Sequence, residues 1–251
     1  MQAEMYLGTQ GWSYKSWVGN FYPPATPPGD FLKEYAKQFR VVEIDSTYYG
    51  APRDSTIQNW RAGTPDNFRF TAKFPQTITH EKMLKQVEGE TIRFLDAMRG
   101  LGEKLGPLLL QFPYHFKPDQ FDALAQFLAQ LPGDLRFAIE VRHKGWLTDK
   151  FFALLEEFRV AYALTDYAFM PTVERVTTDF TYIRWLGNRK DIADDHYERV
   201  QIKRDKEIHA WSEIIANYLD KGVTIWGFAN NHYQGHSPAT VRAIVEQVGA
   251  R

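Results

Sequence analysis

A chain of 251 residues with 44% apolar content can fill one large domain or two small ones. A formal charge of −1 argues against a broad footprint for nucleic acid or an anionic membrane. Cysteine is absent, which excludes disulfides, thiolate metal sites and a cysteine nucleophile, and the composition suits a reducing compartment. Residues 1–5 show no basic segment ahead of an apolar core, and no apolar run approaches membrane-spanning length. The expectation is a cytoplasmic protein with a small-molecule partner, no membrane contact and an unspecified oligomeric state.

In chain order, residues 5–12 read as a strand, and the Pro-rich stretch 22–28 reads as a loop. Asp30 is placed to cap a helix over residues 31–40. A strand at 41–47 and a short helix at 55–61 follow. The strand at 68–73 leads to a helix over 90–104, with Ile92, Leu95, Met98 and Leu101 on one face. Gly106-Pro107 is expected to stop that helix before a strand at 108–112. Pro118-Asp119 opens a helix to Gln130. Then come a strand at 136–142, a helix at 150–159 and a strand at 160–166. The stretch 167–179 is too short and irregular for a full helix. A strand at 180–186, a charged loop at 188–208, a helix at 209–221, a strand at 223–230 and a helix at 237–247 complete the pattern. Eight strands alternating with about seven helices imply parallel strands and right-handed crossovers. The fold class expected is α/β, a TIM-type (β/α)8 barrel spanning 1–251 as one domain, with an irregular connection between strands 6 and 7. A doubly wound open sheet is the alternative, weakened because no G-x-G-x-x-G follows the first strand.

The apolar runs end, one after another, in polar or charged residues. With Phe137, Ile139, Val42, Ile44, Phe70 and Ala72 turned outward to helices, period two turns Glu140, Arg142, Glu43, Asp45, Thr71 and Lys73 inward. In a TIM barrel the C-terminal strand ends form the active face. Those positions are Gln10, Asp45, Lys73, Gln111, Arg142, Asp166, Arg184 and Asn230, with Glu43 and Glu140 one layer deeper.

Several segments resemble the YecE-like family, domain of unknown function 72. They are Gly11-Trp12-Ser13-Tyr14-Lys15-Ser16-Trp17, Glu43-Ile44-Asp45-Ser46-Thr47-Tyr48-Tyr49, Phe68-Arg69-Phe70-Thr71-Ala72-Lys73-Phe74-Pro75, Leu105-Gly106-Pro107-Leu108-Leu109-Leu110-Gln111-Phe112-Pro113, Glu140-Val141-Arg142-His143-Lys144-Gly145-Trp146 and Phe228-Ala229-Asn230-Asn231-His232. The resemblance implies a TIM-like barrel and carries no activity with it. The family often has Asn where Asp45 stands. It usually shows Arg-x-His-Gly after the seventh strand, where this chain has Arg184-Trp185-Leu186-Gly187.

The charged candidates have competing readings. Glu140, Arg142 and His143 are either an ion-pair network filling the mouth, or an acid–base carboxylate with an anion clamp. Lys73 is a partner for Asp45 or Glu43, an anion binder, or a lysine of lowered pKa used as base or nucleophile. Glu43, Asp45, Glu140 and Asp166 offer carboxylates for proton transfer or for Mg²⁺ or Mn²⁺, although the cations in the same ring oppose a metal. No metal site and no cofactor are assigned. Trp12, Tyr48 and Trp146 are the candidates for stacking on a ligand ring. Gln111 and Asn230 would orient hydroxyl or carbonyl groups. The loop 188–208 is a solvated segment or a cover for the site. The leading expectation is an enzyme acting by proton transfer on a small anionic or sugar-like metabolite. The alternatives are a binding module for a ligand or a nucleic-acid end, and a metal-dependent hydrolase or isomerase.

Overall fold

Eight strands close on themselves in chain order, every neighbouring pair parallel: β1 (Met5–Gln10), β2 (Val41–Ile44), β3 (Arg69–Lys73), β4 (Leu105–Gln111), β5 (Phe137–Glu140), β6 (Ala161–Asp166), β7 (Phe180–Trp185) and β8 (Thr224–Ala229). The computed structural model describes residues 3–250. Helices α1 (Phe31–Tyr35), α2 (Asp54–Ala62), α3 (Glu88–Arg99), α4 (Phe121–Gln130), α5 (Asp149–Glu157), α6 (Asp205–Asp220), α7 (Asn231–Gln234) and α8 (Ser237–Gly249) fill most connections. The connection between β6 and β7 contains no helix. The expected α/β barrel is therefore the fold.

Strand parity sorts the core into two shells. Val42, Ile44, Phe70, Ala72, Leu108, Leu110, Ile139, Leu164 and Ile183 face the helices in one large cluster. Tyr6, Val41, Leu109, Ala138, Ala161, Ala163, Phe180, Tyr182, Trp226 and Phe228 fill the barrel interior. Strands apolar on both faces are what a helix-covered parallel sheet demands. The lower interior is aromatic, with Tyr6 stacked on Trp226 at 4.3 Å between centroids. Above it the inward positions turn polar, and that change positions the site.

Several boundaries differ from expectation for identifiable reasons. α1 ends at Tyr35 rather than residue 40, and Asp30 makes no side-chain cap; a 3-10 turn at Pro28–Asp30 supplies the entry instead. The Tyr35 hydroxyl is drawn to the sheet, where it donates to the Val41 carbonyl and accepts from the Thr9 amide. β4 begins at Leu105, so Gly106-Pro107 lies inside a strand and stops nothing. The register shifts there, with Phe70 opposite Leu105 and Ala72 opposite Leu108. That irregularity accommodates a proline without a ladder donor. Gly106 sits against Trp226, and a Cβ there would come within 2.7 Å of the indole. Ile92 is 59% exposed; α3 buries Thr91, Phe94, Leu95 and Met98 instead. α6 starts at Asp205, four residues earlier than expected. No helix among the described residues is long and apolar enough to cross a membrane.

Candidate functional site

At the C-terminal end of the barrel, inward parity brings polar side chains from around the ring of strands to one layer. Arg184 of β7 is central. Its Nε donates to Glu43 Oε2 at 3.1 Å and its Nη2 to Glu43 Oε1 at 2.8 Å. Its Nη1 donates to Glu140 Oε2 at 2.6 Å. Glu140 Oε1 pairs with Arg142 Nε, and the Arg142 guanidinium lies 4.1 Å from the Tyr167 ring centre. The Tyr182 hydroxyl donates to Glu43 Oε2 at 2.6 Å and contacts Thr71 Oγ1 at 3.0 Å. Glu43 and Glu140 are fully buried.

The charges on this floor hold one another. Burial alone would raise the Glu140 pKa, but Arg142 and Arg184 override it and bring it to about 2. Burial likewise opposes the Arg184 charge, and Glu43 and Glu140 more than offset it. For Tyr182, burial first and Glu43 next push the phenol well above its ordinary value. Glu140 is thus held as an anion, and the oxygens of both carboxylates already face guanidinium groups.

Lys73 differs. Its Nζ donates to Gln111 Oε1 at 3.0 Å and lies 4.5 Å from the Tyr48 ring centre, rather than pairing with a carboxylate. Burial first, then the Arg184 charge, lowers its pKa to about 8. Across the mouth, Asn230 Nδ2 donates to Gln10 Oε1 at 2.9 Å. Asp45 stands at the rim beside Gly11 and Tyr14. The crowding around its carboxyl, and then Glu43, raise its pKa, although the residue as a whole is exposed.

A cavity of about 400 Å³ opens over this layer. Its wall includes Lys73, Arg142 and Arg184 from the barrel and Arg189 and Lys190 from the following loop, and no carboxylate residue. Gln10, Gln111, Asn230 and Leu186 complete much of the remainder. Gly187, at φ +65° and packed against the His232–Tyr233 backbone, turns the chain from β7 into the loop carrying Arg189 and Lys190. Part of the expected solvated loop therefore borders the cavity.

Gln10, Glu43, Lys73, Gln111, Glu140, Arg142, Arg184 and Asn230 converge at the mouth, and Tyr48 stands beside Lys73. Four expected members lie elsewhere. Asp166 has the outward parity of Tyr162 and Leu164. Its Oδ2 accepts from Trp211 Nε1 at 2.8 Å and from the Tyr233 hydroxyl at 2.7 Å, so it joins β6 to α6 and α7. Trp12 turns toward α2 and meets Trp60 edge-on at 5.7 Å. Trp146 is 1% exposed, donates to the Phe116 carbonyl at 2.8 Å and packs against Phe116 and Phe151. His143 accepts from the Gly145 amide at 3.1 Å and meets Tyr114, a local turn role.

Other residues of the mouth were not singled out from the sequence. Tyr182 was findable, because it shares the inward parity of Arg184. His80 packs edge-on against Tyr48 at 5.1 Å, and burial followed by the Lys73 charge lowers its pKa to about 4. It belongs to a π-helical turn at Thr77–Glu81 that leaves no sequence period to read. Tyr167 and Phe169 come from the irregular connection after β6. Among the described residues, no group of three or more His, Cys, Asp or Glu is arranged to hold a metal ion. At the floor, a cation would have to displace guanidinium from both Glu43 and Glu140.

A family profile described as "Protein of unknown function DUF72" matches residues 6–251. The UPF0759 protein YecE of Escherichia coli K12 is 37% identical over 153 residues, which are 61% of this chain and 52% of that protein. The chain thus spans about half the length of this curated relative. A crystal structure of a DUF72 family protein from Thermotoga maritima superposes with a TM-score of 0.79 at 25% identity, covering 98% of each chain. A D-psicose 3-epimerase, at TM-score 0.52 and 13% identity over 97% of this chain and 96% of its own, shares the fold alone. The near-complete profile match and the shared barrel make this chain a member of the DUF72 family.

Proposed function

We propose that the barrel mouth binds a small organic anion and that the protein is an enzyme transferring a proton on it, with Lys73 as the acid–base group. One observation carries the reading: the cavity wall presents five cationic side chains and no carboxylate, over a floor whose two carboxylates are already paired. Arg184 and Arg142 are half of a neutral network, so the surplus positive charge resides on Lys73, Arg189 and Lys190. Such a field attracts an anion and disfavours a bare cation. Gln10, Gln111 and Asn230 offer amide groups to orient polar atoms of the ligand.

Glu140 does not serve as the general acid, because at a pKa of about 2 it holds no proton near neutrality. Lys73, at about 8, carries both protonation states in useful proportion, which is what proton transfer requires. Absence of cysteine agrees with action in the cytoplasm.

A second reading is a binding module without turnover, favoured by the complete pairing of Glu43 and Glu140. One experiment separates them. Phosphorylated and carboxylated metabolites are screened by thermal shift, and binders are incubated with the protein in D₂O. The enzyme reading expects solvent deuterium in a ligand C–H position, and loss of that exchange in Lys73→Gln. Binding with no exchange on any ligand leaves the module reading, and no anion binding at all ends both.

A further inference from the structure

Beside the mouth cavity lies a second space of about 690 Å³, and the two share Gln111, Arg142, Tyr167 and Phe169 in their walls. Tyr114 and Lys144 complete the lining of this bay. Half of its lining is aromatic. Tyr114 is 67% exposed and Phe169 is 69% exposed, in a chain that buries nearly all its large apolar side chains. Neither serves the core at that exposure; Phe169 borders both the charged mouth and the bay, and Tyr114 borders the bay.

The chemistry of the bay selects among ligands. A hydroxyl-rich sugar ring is held by many hydrogen bonds, typically including carboxylate and amide acceptors. Here the only amide is Gln111, and its Nε2 already donates to the Phe112 carbonyl at 2.7 Å while its Oε1 accepts from Lys73. No carboxylate lines the bay. The bay instead offers π faces and cations. Arg142 lies over Tyr167, and Lys144 borders the same space. A planar ring gains from stacking or edge contacts with Tyr114 and Phe169, and its face attracts the cations. An acyclic or saturated ligand gains only the area term.

From this, the geometry points to a planar aromatic ring bearing an anionic group as the ligand class, with the anion in the mouth and the ring in the bay. This rests on the anion-binding reading of the mouth and narrows it. The anion is a phosphate or a carboxylate, since guanidinium and ammonium groups serve either.

Isothermal titration with matched pairs tests it: phenyl phosphate against cyclohexyl phosphate, and benzoate against cyclohexanecarboxylate, with inorganic phosphate as the ring-free reference. In at least one pair the aromatic member should bind about tenfold tighter than its saturated partner, and that pair names the anion. Tyr114→Ala should erase the preference, while Tyr114→Phe, which keeps the ring, should retain it. Each comparison is a ratio of two ligands on one protein, so a general loss of folding cannot imitate it. Equal affinities within both pairs overturn the aromatic assignment but leave the anion site standing, provided inorganic phosphate or a saturated anion binds. Failure of all five probes to bind removes the anion site and this inference together.

Discussion

Arg184 grips Glu43 through two parallel hydrogen bonds, Nε to Oε2 and Nη2 to Oε1, at a depth where neither side chain meets much solvent. The opposite edge of the same guanidinium holds Glu140. One residue thus ties β7 to β2 and β5 across the barrel interior. Glu43→Gln keeps the shape and removes the charge. Arg184 then relies on Glu140 alone, and Tyr182 loses a charged acceptor. A buried pair broken on one side costs about 3–5 kcal/mol. Urea denaturation should show a loss in that range, and a change under about 1 kcal/mol would mean that the network relaxes freely.

Glu140 predicts an acid limb. Its pKa of about 2 lies below the ordinary 4.5, so the folded state favours the ionised form. The stability this contributes is fully present above pH 4.5 and is lost as pH falls through about 2. Denaturation free energies measured from pH 5 to pH 2 should fall more steeply for the wild type than for Glu140→Gln, which has no carboxyl to protonate there. Parallel slopes would count against the assignment.

The floor of the site was legible because β2, β3 and β5 each carry a charge between apolar neighbours. Ile44 and Ile139 fix the outward face, so Glu43 and Glu140 must turn in. β6 offered no such mark. Its Ala161-Tyr162-Ala163-Leu164 is apolar on both faces, small residues filling the barrel and large ones facing helices, and period two cannot say which side Asp166 joins. Trp146 shows a related limit. An aromatic just past a strand end reads alike whether it lines the mouth or packs on Phe116 and Phe151, and those partners are set by loop paths. Arg189 and Lys190 sit in a run of mixed charges, which looks solvated until Gly187 turns it over the cavity.

Lys73 predicts opposite signs for stability and binding. Burial lowers its pKa from 10.5 to about 8, so the fold disfavours its charge, and that cost applies in full below pH 8. Lys73→Met removes the ammonium and keeps the stem length. At pH 7 the variant should be about 1–2 kcal/mol more stable in denaturant, yet bind inorganic phosphate more weakly. In the wild type, phosphate affinity should fall as pH rises through about 8, where the ammonium is lost. The variant should lack that inflection. A less stable variant, or a retained inflection, would assign the titration to another group.

Asp166 tests whether outward parity removes a residue from the site. Asp166→Asn keeps an oxygen for Trp211 and Tyr233 but discards the charge that strengthens both bonds. A loss of about 1–3 kcal/mol is expected, with altered Trp211 fluorescence and phosphate affinity within about twofold of wild type. A large drop in anion binding with stability intact would return Asp166 to the mouth.

His232 links the cavity wall to the loop above it. The Phe228 carbonyl accepts from Gln10 Nε2, which leaves Gln10 Oε1 facing Asn230 Nδ2, and so aims Asn230 Oδ1 at the backbone amide and Nδ1 of His232. His232 Nδ1 therefore donates, and Nε2 lies 3.0 Å from Asp194 Oδ1, to which it donates when the ring carries both protons, and 3.2 Å from the Tyr197 hydroxyl. Asp194 and Tyr197 belong to the segment that follows Arg189 and Lys190, so the imidazole anchors those cations over the mouth. His232→Phe fills the space and deletes both contacts. Amide hydrogen exchange should accelerate through residues 188–197 while β7 and β8 keep their protection, since the strands do not depend on this tie. Phosphate affinity should fall about 3–10-fold, the effect of two cations no longer held in place. Unchanged exchange in that segment would show that the remaining bonds, such as His236 Nδ1 to the Tyr197 carbonyl at 2.7 Å, suffice to hold the loop.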